Sequence, residues 1–275
     1  MRIDAHQHFW KYNSQRDSWI TDDMRVLRAD FLPHHLAPLL QQEGFDGCVA
    51  VQADQSEEET AFLLQLAEEN PFIKGVVGWV DLQSSKVEER LGHFAQAKKL
   101  KGLRHIVQAE ADEQFMLRPA FMHGISLLQT FNFTYDILIY PAQLPSAEKL
   151  VAAFPHQKFI VDHLAKPIIK SGEVETWEKD LRRLAQHQNV YCKISGMVTE
   201  ADWQHWNQAH FTPYLDVVTE AFGTHRLVYG SDWPVCLLAA TYQQQLGVVQ
   251  KYFQTFSESE QAQIFGRNAQ QFFQL

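Results

Sequence analysis

The sequence predicts an α/β chain of the (β/α)8, or TIM-barrel, class, and three observations predict it. Short apolar runs rich in β-branched residues recur eight times, each followed by a stretch of helical periodicity, as parallel strands linked by crossover helices require. The length of 275 residues holds eight such pairs in one domain, residues 1–275, with no internal repeat, low-complexity tract or linker. No GxGxxG follows the first strand, which demotes the runner-up, an open doubly wound sheet.

In chain order the strands are expected over residues 2–8, 48–52, 73–81, 100–107, 134–140, 158–164, 190–195 and 227–231. Helices are expected between them over 33–43, 57–69, 86–97, 119–130, 145–154, 175–187, 211–222 and 242–256, and a ninth over 258–273 closes the chain. Two helix starts carry their own chemistry. Ser56 stands three residues before Glu59 at capping-box spacing, in a first turn of glutamates suited to the positive helix end, and Ser257 and Glu260 repeat the spacing. Two connections exceed a simple crossover. Residues 9–32 hold Trp10, Tyr12, Arg16, Trp19, Arg25 and Arg28, the make-up of a substrate wall or lid. Residues 165–174, with Lys166 and Lys170, read equally as a functional or a solvated surface loop.

With 45% hydrophobic residues the chain can bury a large core. A formal net charge of −9, from 24 Lys+Arg against 33 Asp+Glu, argues against nucleic acid and offers no basic patch to a membrane surface. Cys48, Cys192 and Cys236 form no CxxC pair and lie in apolar runs, as expected of buried reduced thiols in a cytoplasmic protein. A leader peptide and an 18-residue apolar run are both absent from the expected pattern.

A barrel gathers the C-terminal ends of its strands at one mouth, so residues far apart in sequence converge there. Strand 1 brings His6 and His8 on one face, with Asp4 behind them, a geometry that suits a metal or two ordinary imidazoles. Gln52 ends strand 2; Trp79 and Asp81 end strand 3; strand 4 gives Arg104 and His105; strand 5 runs from Asp136 to Tyr140. Strand 6 ends in Asp162 and His163, strand 7 carries Lys193 and Ser195, and strand 8 leads into Asp232 and Trp233. Each has a structural alternative: Asp232 as a helix cap, or Lys193 as an ion-pair partner inside the barrel. The set as a whole carries a desolvation cost that a purely structural barrel avoids. GxSxG, HExxH, a P-loop and zinc-finger cysteine pairs are all missing, which leaves water activated by a carboxylate, a metal or both.

The ordered set Asp4-Ala-His-Gln-His-Phe-Trp10, Asp30-Phe-Leu-Pro33, Val51-Gln52, Gly102-Leu-Arg-His105, Asp162-His-Leu-Ala-Lys-Pro167, Cys192-Lys-Ile-Ser-Gly196, Gly230-Ser-Asp-Trp-Pro234 and Asn268-Ala269 runs the length of the chain. It resembles the amidohydrolase superfamily. Within it the likeness is to the amidohydrolase-2 branch of sugar-lactone hydrolases, L-fuconolactonase and L-rhamnonolactonase among them, with 2-pyrone-4,6-dicarboxylate lactonase more distant. The resemblance implies that His6, His8, His163 and Asp232 surround one divalent metal ion, zinc first, in a site that members of the branch can dispense with. Strand 5 offers no histidine and strand 4 has Arg104 where binuclear members carry a bridging lysine, so two ions are not expected.

The activity implied is hydrolysis of a sugar-acid lactone, a deoxy-sugar lactone such as L-fucono- or L-rhamnonolactone foremost. Asp232 would be the base on water, and the carbonyl oxygen would be polarised by the further catalytic residues His163 or Arg104, or by a metal held by His6 and His8. Position on the barrel alone suggests His105, Lys193, Gln52, Trp10, Trp79 and Trp233 for substrate binding. Two alternatives stand beside this: a metal-dependent decarboxylase or amide hydrolase, which would not turn over lactones, and a non-catalytic sugar-acid binder, whose affinity would survive Asp232→Asn. The lack of a strand-5 ligand disfavours the former, and the completeness of the acid/base cluster the latter. The partner expected is a small molecule, and oligomeric state is left open.

Overall fold

The computed structural model describes residues 1–275. Eight parallel strands form one sheet in sequence order: β1 Ile3–Gln7, β2 Gly47–Val51, β3 Ile73–Gly78, β4 Leu100–His105, β5 Thr134–Ile137, β6 Phe159–Val161, β7 Val190–Ile194 and β8 Leu227–Tyr229. The sheet closes where the end of β1 meets the segment after β8. There the Asp232 amide donates to the His6 carbonyl (2.8 Å) and the His8 amide to the Trp233 carbonyl (2.7 Å). The seam of the barrel therefore brings His6, His8 and Asp232 together.

The crossover helices are α1 Pro33–Gln42, α2 Glu57–Glu69, α3 Val87–Phe94, α4 Pro119–Leu128, α5 Leu144–Ala153, α6 Glu175–Ala185, a short α7 Met197–Glu200, α8 Gln208–Phe222 and α9 Tyr242–Phe253. Ser56 caps α2 as its spacing predicts, accepting from the Glu59 amide at 3.2 Å. None of the helices is long and apolar enough to cross a membrane.

Every expected strand is present, and those expected over 73–81, 134–140 and 158–164 end early. Directly after β6, His163, Leu164, Ala165 and Lys166 all take left-handed backbone angles, φ 50–57°. Four consecutive L-residues in that region cost on the order of 1–2 kcal/mol each. Surrounding structure holds them there. Leu164 and Ala165 are fully buried, and the Trp177 indole on α6 donates to the Leu164 carbonyl at 2.7 Å.

The helix expected over 258–273 is broken into α10 Glu258–Ala262, a π-turn over Gln263–Arg267 and α11 Asn268–Phe273. The start of the chain causes the break, because a Cβ on Gly266 would lie 1.9 Å from the Met1 carbonyl oxygen. Past that crossing, Ala269, Phe272 and Phe273 plug the barrel floor against Ile3, Val49, Val77, Ile160 and Val228. Residues 9–32 form a folded flap. Trp10 and Phe31 exchange backbone hydrogen bonds at 2.9 Å, and Trp10, Ile20 and Leu27 make its small core.

Gly266→Ala should cost about 1–3 kcal/mol through overpacking against immovable backbone. Gly247→Ala, inside α9 with open space at its Cβ, should gain about 0.5–1 kcal/mol. Denaturant midpoints at unchanged m-value check both.

Candidate active site

The mouth of the barrel opens into a cavity of about 540 Å³. Its base is formed by His8, Arg104, His163 and Asp232; Trp10, Arg16, Ser18 and Trp19 come from the flap; Ala53, Asp54 and Gln55 follow β2. Ile106, Gln108 and Ala109 follow β4, and Leu138, Lys166 and Val235 complete the wall.

Beneath the base lies a buried charge network. Asp162, with no exposure, takes Lys193 Nζ at 2.9 Å, Arg104 Nη1 at 3.0 Å and His6 Nδ1 at 3.4 Å. Burial pushes Asp162 up, but Lys193, His6 and Arg104 outweigh it and hold the carboxylate well below its ordinary range. Lys193 also bonds Asp136, which burial raises to about 7. Arg104 is fixed further by the Gln52 carbonyl, while the Gln52 amide donates back to the Arg104 carbonyl at 3.0 Å.

Above the network, the Nε2 atoms of His6 and His8 lie 3.2 Å apart, and Asp232 Oδ1 is 3.8 and 3.4 Å from them. His8 Nδ1 donates to the Val51 carbonyl at 2.7 Å, so its Nε2 presents a lone pair. Bonds of about 2.0–2.1 Å to a tetrahedral zinc ion place its ligand atoms about 3.3 Å apart, and this N, N, O trio has that spacing and donor chemistry. His6, His8 and Asp232 therefore fit one divalent ion. Arg104 Nη1, 3.3 Å from His6 Nε2, adds a positive neighbour that weakens the hold on it.

His163 Nε2 is 4.0 Å from Asp232 Oδ1, and His163 Nδ1 is 2.9 Å from the Ser195 hydroxyl. Burial keeps the His163 imidazole well below its ordinary pKa, hence neutral. Burial also pushes Asp232 up, but His163, His8 and Lys166 together bring it below the usual carboxylate value, so it is an anion at neutral pH. Gly196 lets His163 sit where it does: its φ is +64°, and a Cβ there would meet His163 Nδ1 at 2.6 Å.

The amidohydrolase family profile matches residues 3–275. The chain belongs to the amidohydrolase family. An L-fucono-1,5-lactonase of Burkholderia multivorans is 39% identical over 98% of this amidohydrolase and 94% of its own length. An L-fucono-1,5-lactonase of Burkholderia ambifaria is 35% identical over 100% and 96%. A crystal structure of an amidohydrolase from Burkholderia multivorans with bound zinc superimposes with a TM-score of 0.97 at 38% identity, covering 100% of this chain and 99% of that one.

In this amidohydrolase the residues expected at the site separate into two groups. His8, Trp10, Arg104, His163 and Asp232 face the cavity, and His6 lies directly under it. Lys193, Gln52, His105, Trp79 and Trp233, expected to bind substrate, do not line it. Lys193 on β7 stands two residues before Ser195, which follows the strand, and one layer deeper in the barrel, where its charge is spent on Asp136 and Asp162. Gln52 is turned onto Arg104. Strand alternation sends His105 outward when Arg104 points in. There it stacks on Phe115 (4.7 Å), bonds Glu110 (2.8 Å) and accepts from Trp79 Nε1 at 3.3 Å. Trp233 likewise packs against Phe9 and Phe31.

Arg16, Gln55, Gln108 and Lys166 also line the cavity, outside the set of residues expected at the site. Arg16 and Trp19 were visible as part of an unusually rich flap, and Lys166 within the strand-6 motif; Gln55 and Gln108 carry no sequence signal.

Lys193→Met should destabilise the fold by about 3–5 kcal/mol, since it leaves two buried carboxylates without their shared cation. Adding Asp136→Leu should recover part of that loss, as chemical denaturation of single and double variants would measure.

Proposed function

We propose that this protein opens the cyclic ester of a sugar acid, a deoxy-sugar lactone such as L-fucono- or L-rhamnonolactone being the first candidate, with Asp232 as the base on water. The observation that carries the reading is an ionised Asp232 beside neutral His163 at the base of a cavity, in a chain 39% and 35% identical to two L-fucono-1,5-lactonases. The charge balance of the cavity supports a neutral lactone. Each cation facing it already has a carboxylate: Arg16 has Asp17 (2.7 Å), Arg104 has Asp162 (3.0 Å) and Lys166 has Glu200 (3.5 Å). A dianion such as a pyrone dicarboxylate would have to compete with these carboxylates for each cation. Ile106, Leu138 and Val235 offer an apolar patch for the methyl group of a deoxy sugar.

In this reading the Asp232 carboxylate accepts a proton as the water oxygen attacks the lactone carbonyl carbon. We assign the Ser195 hydroxyl as the donor to Nδ1, which leaves the His163 ring proton on Nε2 to be donated as a hydrogen bond to the carbonyl oxygen as charge builds there. Arg104 adds a fixed positive charge on the same side. As the bond from carbonyl carbon to ring oxygen breaks, Asp232 gives its proton to the departing alkoxide. The product is an open hydroxy acid. We assign His6, His8 and Asp232 as the residues that hold a divalent ion, zinc first, which when bound polarises the carbonyl and acidifies water.

Acid release from a panel of aldonolactones tests the reading. Turnover of a sugar lactone, with pyrone dicarboxylate poor or inert, should fall by about 10³ in kcat on Asp232→Asn, within the usual range for loss of a general base; silence across the panel contradicts it. Added zinc should raise the melting temperature of the wild type, and His8→Ala should abolish that rise.

A further inference from the structure

Hydrolysis of a lactone turns a neutral ring into an anion, and here it does so beside Asp232, which is itself ionised. A carboxylate formed there needs a cation. Arg16, Arg104 and Lys166 line the cavity. Arg104 is buried and donates to Asp162 at 3.0 Å and to the Gln52 carbonyl, while Arg16 grips both oxygens of Asp17, at 2.7 and 2.8 Å. Lys166 is held more loosely. Its carboxylate neighbour, Glu200 on α7, stands 3.5 Å away, well beyond the about 2.7–2.9 Å of a charge-assisted hydrogen bond, and the Tyr140 ring centroid is 5.6 Å from Nζ. Burial pushes Glu200 up, and Lys166 offsets only part of that rise. The Lys166 side chain keeps 18% exposure on the cavity wall.

The turn after β6 places this ammonium. Residues 163–166 share left-handed backbone angles, and the Lys166 amide donates to the His163 carbonyl at 2.7 Å, so the turn that carries His163 at the base of the cavity also carries Lys166 on its wall. The Lys166 charge is felt at both members of the pair, helping to keep Asp232 ionised and His163 neutral. We propose that Lys166 is the product-binding cation of this site: its ammonium leaves Glu200 for the carboxylate that ring opening creates, and Glu200 is its counter-ion while the site is empty or holds the neutral lactone. The inference rests on the sugar-lactone reading and deepens it, because it makes the site distinguish the open acid from the ring. A counter-ion at 3.5 Å is readily exchanged for a ligand carboxylate at hydrogen-bond distance, whereas a two-point clamp such as that on Arg16 must first be broken.

The test is product inhibition: hydrolysis of the aldonolactone that the wild type turns over best, in the presence of its own open acid, L-fuconate where the lactone is L-fucono-1,5-lactone. Wild type, Lys166→Met, Lys166→Arg and Glu200→Gln are compared by the ratio of the product inhibition constant to the lactone KM. In Lys166→Met that ratio should rise about tenfold or more, the loss expected of one charge-assisted contact, and Lys166→Arg should recover part of it. Glu200→Gln should move the ratio the other way, by about 2- to 5-fold, because the ammonium no longer has a competing carboxylate. A structural role in the cavity wall would shift the inhibition constant and KM together and give both single losses the same sign. A wild type that its open acid does not inhibit, a ratio unchanged in Lys166→Met, or one that does not fall in Glu200→Gln overturns the assignment and leaves the lactone reading intact. A wild type that turns over no lactone overturns both.

Discussion

One buried carboxylate sets the terms for this molecule. Asp162 lies directly after β6 with no exposure, and an uncompensated charge there is prohibitive. Lys193 comes from β7, Arg104 from β4 and His6 from β1 to neutralise it. These three partners cross the barrel from different strands, so the charge network fixes strand register as well as side-chain position. It also orients the chemistry above it: His6 is anchored through Nδ1 and points Nε2 upward, and Arg104 is aimed so that its guanidinium borders the cavity.

The upper layer is built with strain where the lower is built with charge. His163 and Asp232 both have left-handed backbone angles, φ 52° and 57°, which a side chain other than glycine rarely adopts. In each case neighbouring structure makes the conformation obligatory. The buried turn and the Trp177 bond hold His163, and the hydrogen bonds closing β1 against the segment after β8 hold Asp232. The result is an anionic carboxylate 4.0 Å from a neutral imidazole, both held below their ordinary pKa. Such a division is what acid/base chemistry near neutral pH requires.

Much of the fold was legible because its signals are local. β-Branched runs, helical periodicity and the Ser56 and Ser257 caps locate elements without knowledge of their partners. Strand ends were overestimated where apolar sequence continues past the sheet, as in Leu138–Tyr140 and His163–Leu164, because periodicity does not distinguish a buried turn from a buried strand. The inner cluster was legible as residue types at strand ends. Its depth was not. Lys193 on β7 and Ser195 just past its end alternate onto one face, yet one reaches the floor network and the other His163, a difference set by the stagger of the barrel. His105 and Trp233 adjoin residues of the cavity in sequence and face away from it in space. Gln55 and Gln108 have no motif, and what marks them, a place on the cavity wall, exists only after folding.

In the proposed mechanism the His163 and Asp232 pair faces the carbonyl of a sugar lactone. A crystal structure of the Asp232→Asn variant with an intact aldonolactone tests it most directly. The prediction is a lactone in the mouth of the barrel with its carbonyl oxygen within hydrogen-bond distance of His163 Nε2 and its carbonyl carbon toward residue 232. A lactone bound with its carbonyl directed away from both residues, or bound outside this cavity, would contradict the account.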